Sequence, residues 1–140
     1  MRDQANNITL RPVIAPAANS NLGTTPLVGS IIDRFGYESV TYGIITGALS
    51  DVNATYTTLL EESDAANMDG AAAVADAGMI GTEAAAGFDF ADDGETRKLG
   101  YIGSKRYTRL TITPAGADSG NSPIAAIAIL GNPPTRPVSA

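Results

Sequence analysis

The chain has no cysteine, no histidine and no tryptophan. The missing cysteine excludes a disulfide framework, a thiolate nucleophile and a zinc-thiolate site, so stability has to come from packing or assembly. The missing histidine removes the commonest general base and metal ligand, and with it Ser-His-Asp and Cys-His catalysis. Aromatic residues make up 6% of the chain, and the apolar share of 44% leans on alanine, which predicts a thin core. No apolar run approaches the roughly eighteen residues of a membrane helix, and MRDQANNITL lacks the apolar segment of a signal peptide. Neither a membrane span nor a secretory leader is expected.

Positive charge is scarce as well. The net charge is −6, with no basic tail to meet a phosphate backbone, so nucleic acid is not an expected partner. Between Phe35 and Thr96 there is no Lys or Arg, whereas Asp51, Glu61, Glu62, Asp64, Asp69, Asp76, Glu83, Asp89, Asp92, Asp93 and Glu95 all fall there. Arg97, Lys98, Lys105, Arg106 and Arg109 then follow with no acid until Asp118. Two opposite patches on one small domain can pair internally between adjacent strands, or externally between copies or with a neighbour.

The 140 residues fit one domain, and 15 Gly and 8 Pro predict many turns. Residues 1–29 read as an extended N-terminal arm, interrupted by Pro12, Pro16 and Pro26 and anchored by spaced apolar residues such as Ile8, Leu10 and Val13. Residues 30–130 read as the folded domain. Val40, Tyr42 and Ile44 alternate with polar or small residues, as do Tyr56 and Thr58, the period of strands. Residues 61–87 are alanine-rich but too often broken by glycine for a long helix; short helical turns and a strand near Met79-Ile80 are expected within a long connection. Phe88 and Phe90 mark another strand, closed by an acidic turn.

Lys98 to Thr113, KLGYIGSKRYTRLTIT, carries the strongest strand signal and reads as a hairpin turning at Gly103-Ser104. Tyr101, Ile102, Leu110 and Ile112 are its expected core residues. IAAIAIL, from Ile124 to Leu130, reads as a strand covered on both faces or forming the innermost row of a sandwich. Residues 131–140, rich in proline, read as a C-terminal arm. The fold class is therefore all-β, an antiparallel β-sandwich with extended arms at both ends.

Candidate chemistry is thin. Asp89, Asp92, Asp93 and Glu95 offer oxygen ligands beside Gly94, but not with the spacing of an EF-hand loop, and without tryptophan a sugar-stacking carboxylate site is weakly supported. GYIGSK lacks the Gly-Lys-Ser/Thr order of a phosphate loop. Asn7-Ile8-Thr9 and Asn53-Ala54-Thr55 match the glycosylation sequon by chance. No catalytic residue, cofactor or metal ligand is assigned.

The segments DQANNITLRPVIAP, IIDRFGYESVTYGIITG, LLEESDAANMDGAAAVADAGMIGTE, LGYIGSKRYTRLTIT and AAIAILGNPPTRP resemble a family of small tailed-bacteriophage head decoration, or cement, proteins. The resemblance spans nearly the whole chain, with GYIGSKRYTRL its most specific piece. It implies a jelly-roll sandwich made in the host cytoplasm and bound on the capsid exterior of the virion, with the major capsid protein and a further copy of itself, as homodimer or homotrimer, for partners. A head-tail joining or tail protein is the alternative within the virion, and a carbohydrate- or calcium-binding sandwich the alternative outside it. Ile8, Leu10, Val13, Arg97, Lys98, Lys105, Arg106 and Arg109 are the expected interface residues.

Overall fold

The computed structural model describes residues 3–138. In chain order its first strands are β1 (Ile8–Ile14), β2 (Leu27–Val28), β3 (Ile32–Asp33), β4 (Ser39–Thr46) and β5 (Thr55–Ser63). The two-residue strands β6 (Ala72–Ala73), β7 (Met79–Ile80) and β8 (Phe88–Asp89) follow, then β9 (Thr96–Tyr101), β10 (Tyr107–Ala115) and β11 (Ile124–Gly131). One sheet has the order β1-β11-β4-β9-β7; the other has β2-β10-β5-β6, with β3 also on β10 and β8 also on β5. Every pairing is antiparallel. With the short strands merged into their neighbours, this is the two-sheet jelly roll, in which successive long strands cross from one layer to the other. The all-β sandwich read from alternation is what forms.

Alternation decides which residues fill the space between the layers. Val40, Tyr42, Ile44 and Thr46 of β4 point inward with Ile124, Ala126, Ala128 and Leu130 of β11, and face Tyr56, Leu60, Thr108, Leu110 and Ile112 of the opposite sheet. Alanine-rich β11 keeps the core thin. Tyrosines supply the volume, and their hydroxyls need partners there. The Tyr42 hydroxyl lies 2.6 Å from Thr108 Oγ1 across the layers. Tyr56 reaches Ser122 Oγ at 2.6 Å, and Tyr101 donates to Glu62 at 2.5 Å while accepting from the Lys105 amide at 2.9 Å. No buried side-chain nitrogen or oxygen among the described residues lacks a partner.

The expectations for the N-terminal arm, for the hairpin of Lys98 to Thr113 and for Ile102 are corrected. The 1–29 arm is largely built into the domain: β1 is the edge strand of the first sheet, with Thr9, Val13 and Ile14 buried, and β2 and β3 pair with β10. Proline did not prevent this, because an edge strand tolerates a residue with no N–H to donate, and the ladder is irregular between Pro12 and Ile14. Residues 132–138 of the expected C-terminal arm form no strand, and the Val138 amide donates to the Asn6 carbonyl; residues 1, 2, 139 and 140 lie outside the described residues.

Lys98 to Thr113 is not a hairpin. Its two strands belong to different sheets, and the loop between them crosses the edge of the sandwich. Tyr101 folds back over that loop so closely that a Cβ on Gly103 would come within 2.5 Å of its hydroxyl oxygen, which explains the glycine. Ile102, expected in the core, is 53% exposed as a result. Of the two readings of β11, an inner row of the sandwich is what forms: it lies between β1 and β4 with Ile124, Ala126, Ala128 and Leu130 buried, while Ala125, Ile127 and Ile129 look away from the core and Ile127 is 42% exposed. In residues 61–87 the expected short elements are present, a 3-10 turn at Asp76–Gly78, β7, and the one-turn helix α1 (Glu83–Ala86) capped by Thr82.

Tyr42→Phe is expected to lower stability by about 1–2 kcal/mol in urea denaturation, because it strands the Thr108 hydroxyl in the core. Burial pushes the Tyr42 hydroxyl above its ordinary range, and burial with the Glu62 carboxylate pushes Tyr101 up to about 12. A raised phenol pKa adds stability that is fully present below about pH 10 and is lost as pH rises through the folded value. Spectrophotometric titration should therefore show delayed phenolate formation for these two of the 5 tyrosines; ionisation of all of them near pH 10 in a still-folded protein would contradict this.

Candidate functional site

Where the charges go decides which surfaces remain available. Arg109 stands directly opposite Glu61 in the β10-β5 ladder and bonds it at 2.9 Å. Lys105 reaches Asp64 at 2.5 Å, and Arg106 makes two bonds of 2.8 Å to Asp33. Arg97 sits 2.8 Å from Asp92 and 3.6 Å from Glu95. Four of the five cations expected to face a partner are thus occupied by carboxylates of the same chain. The Arg106 hydrogen bonds hold the Asp33 carboxyl below its ordinary pKa, and the Asp89 amide, followed by Arg97, does the same for Asp92. Only Lys98 of the five makes no ion pair, and it points outward from β9.

The acidic turn is likewise engaged in holding its own shape. Asp92 Oδ2 accepts from the Asp89 amide at 2.9 Å, Asp89 Oδ1 from Ala91, and Asp93 Oδ1 from the Leu49 amide at 2.7 Å. Buried Asp51, in another loop, accepts from the Ser119 amide, from the Asn53 amide and from the Ser119 hydroxyl, which hold its pKa low. Among the described residues no group of three or more acidic side chains converges as a metal site, and no helix is long and apolar enough to cross a membrane.

Exposed apolar side chains form two groups, apart from others such as Val52, Ile102 and Phe90. The first lies on the outer face of the β1-β11-β4-β9 sheet. Leu10 is 54% exposed there and Ile45 53%, beside Ile127, Ile129 and Ala125. Around Gly43 these residues enclose a shallow hollow of about 270 Å³ lined by Ile45, Thr96, Ala125 and Ile127. The second lies on the β2-β3 edge of the opposite sheet, where Val28, Ile31 and Phe35 are exposed, Phe35 to 74%. The Arg106 guanidinium stacks 4.7 Å from the Phe35 ring and 5.1 Å from that of Tyr107.

The expected interface residues are therefore scattered. Ile8 and Leu10 line a groove of about 490 Å³ with Val138, Val13 is buried in the core, Arg106 joins the Phe35 ridge, and Lys98 borders the apolar face. Ile45, Ile127 and Phe35, which are exposed on these two surfaces, are not among the expected residues. For Ile45 and Ile127 the signal was present, since both sit at out-facing positions of strands whose in-facing set is already apolar.

No family model matches the chain, and no curated protein matches it. Among solved structures the chain is similar to the PBSX exported protein XepA, with a TM-score of 0.58 and 16% identity over 94% of this chain. The likeness is one of fold. The chain spans 39% of the length of XepA. A family 35 carbohydrate binding module from an environmental isolate also aligns, with a TM-score of 0.46 and 13% identity over 99% of this chain and 96% of that one.

Because the Asp33 carboxyl is held low in the folded state, its pairing adds stability above the ordinary aspartate pKa of 3.8, lost as pH falls below that value. Asp33→Asn should be less stable than the wild type near neutral pH, and thermal melts of the two should converge as pH drops. A constant gap down to acid pH would show that the pair carries no such linkage.

Proposed function

We propose that the chain is a non-enzymatic virion structural protein, a decoration or cement protein that sits on the capsid exterior of a tailed-phage head and strengthens contacts between capsomers. The observation that carries this reading is the presence of two separate adhesive surfaces on one rigid sandwich, the outer β1-β11-β4-β9 face and the Val28, Ile31, Phe35 ridge. A cementing molecule has to hold more than one neighbour at once, and weak contacts of this kind add through multivalency. The sequence resemblance, which spans nearly the whole chain, supports the same role and names the major capsid protein as partner.

Within that role the Phe35 ridge is the surface offered to the shell. Its Arg106 is charge-compensated by Asp33 and stacked on the rings of Phe35 and Tyr107, so the ridge offers aromatic and planar guanidinium surface, a composition enriched at protein interfaces.

Purified protein mixed with heads lacking it should co-sediment in many copies per particle. Phe35→Asp should lower that occupancy at least tenfold while lowering the urea midpoint only slightly, since the ring is mostly exposed and gives up one stacking contact with Arg106. Unchanged binding would remove the ridge from the shell contact. Copies confined to a single vertex would favour the head-tail joining or tail reading instead.

A further inference from the structure

All five strands of the first sheet, ITLRPVI, SVTYGIIT, MI, TRKLGY and IAAIAILG, contain no Asp or Glu, although the chain has 15 of them. In a molecule of net charge −6, this is the sheet through which two copies can approach without opposing carboxylates. Its outer face is also apolar and open, with Leu10, Ile45 and Ile127 exposed.

Gly43 marks the middle of that face. A glycine inside a strand costs about 0.5–1 kcal/mol relative to alanine. Nothing in the protomer requires one here: a Cβ built on Gly43 would meet only Ile127 Cγ1, at an ordinary 3.7 Å. A glycine in such a place fits a site where another surface comes close.

The ladder register shows what that surface is. On the outer face, each β11-β4 rung couples one large residue with one small one. Ile129 is opposite Thr41, Ile127 opposite Gly43, and Ala125 opposite Ile45. The flanking strands continue the rungs, with Leu10 beside Ile129 and Gly100 beside Thr41, then Pro12 beside Ile127 and Lys98 beside Gly43. A two-fold axis lying in the interface and running along the strands, midway between β11 and β4, exchanges the two members of every rung. It would lay each Ile127 over the partner's Gly43, Ile129 over Thr41 and Ile45 over Ala125, and would bring Leu10 against the exposed Ile80 that covers the partner's Gly100. The two Lys98 side chains would go to opposite rims, beside Pro12 of the other copy. We infer that this face is a self-association surface, through which two copies stack sheet on sheet in an isologous dimer.

The twist of stacked sheets, roughly 30° between strand directions, tilts the axis by about half that angle and leaves the central Ile127 and Gly43 rungs in place. Four strands about 4.8 Å apart and six to eight residues long at about 3.3 Å each give a face of roughly 450 Å² in projection. That is small against the ~800 Å² per partner of a standard interface, so the dimer should dissociate on dilution.

Sedimentation velocity of the full chain over a concentration series, without capsids, tests this apart from any binding to heads. The wild type should show a reversible monomer-dimer equilibrium. Gly43→Ile sets Ile against Ile127 and Ile127→Gly leaves the hollow unfilled, so each should weaken the dimer at least tenfold. The double variant carrying both exchanges restores large over small and should recover the dimer. Circular dichroism and urea midpoints establish that each variant folds; should Gly43→Ile not fold, Ile127→Lys, at an exposed position, replaces it and should abolish the dimer. A wild type that stays monomeric throughout, single variants that dimerise as the wild type does, or a double variant that fails to recover would each overturn the inference. So would a monomer that uses this face to bind the major capsid protein.

Discussion

The sandwich is held in one geometry by tyrosine hydroxyls that find their partners across the layers. With alanine at Ala126 and Ala128 and little other aromatic volume, the gap between sheets is filled by Tyr42, Tyr56 and Tyr101, all but fully buried. Each ring contributes apolar area, and each hydroxyl imposes a condition: it must meet a polar atom or forfeit the cost of burying it. Thr108 and Glu62 meet that condition from the opposite sheet, and Ser122 does so from the loop before β11. These bonds fix the register of one sheet against the other in a way that apolar packing alone, which tolerates sliding, does not.

The same economy governs the charges. Arg109, Lys105, Arg106 and Arg97 are each brought beside a carboxylate by strand pairing or by a loop crossing. Such exposed pairs add little stability, but they remove the basic cluster as a binding surface and leave the negative charge on the second sheet and the loops. What remains free of acid is the outer face of the first sheet. The two surfaces on which the functional readings rest are therefore apolar, and both exist because a two-layer fold has outer faces it cannot bury.

Much of the fold was legible in the residues. Period-two alternation through Val40, Tyr42 and Ile44 identified β4 and its inward face, and the glycines of 61–87 correctly forbade a long helix. The surfaces were less so. The run IAAIAIL has apolar residues at both parities, so its pattern could not say whether its second face was covered; the fold left it open. Arg97 to Arg109 looked like one basic patch because the residues are close in sequence, yet their carboxylate partners come from positions as distant as Asp33 and Glu61.

By itself, the sequence determined the strand class, the exclusion of histidine and thiolate chemistry, and the absence of acid from the segments that became the first sheet, since composition and alternation are local properties. Only the tertiary structure decided that Lys98 to Thr113 divides between two sheets, that β1 closes an edge instead of extending as an arm, and that Ile127 stands beside Gly43. Those outcomes depend on pairings between residues far apart in the chain, in an arrangement that buries Tyr42, Tyr56 and Tyr101 with their hydroxyls satisfied, and no short-range pattern encodes that condition.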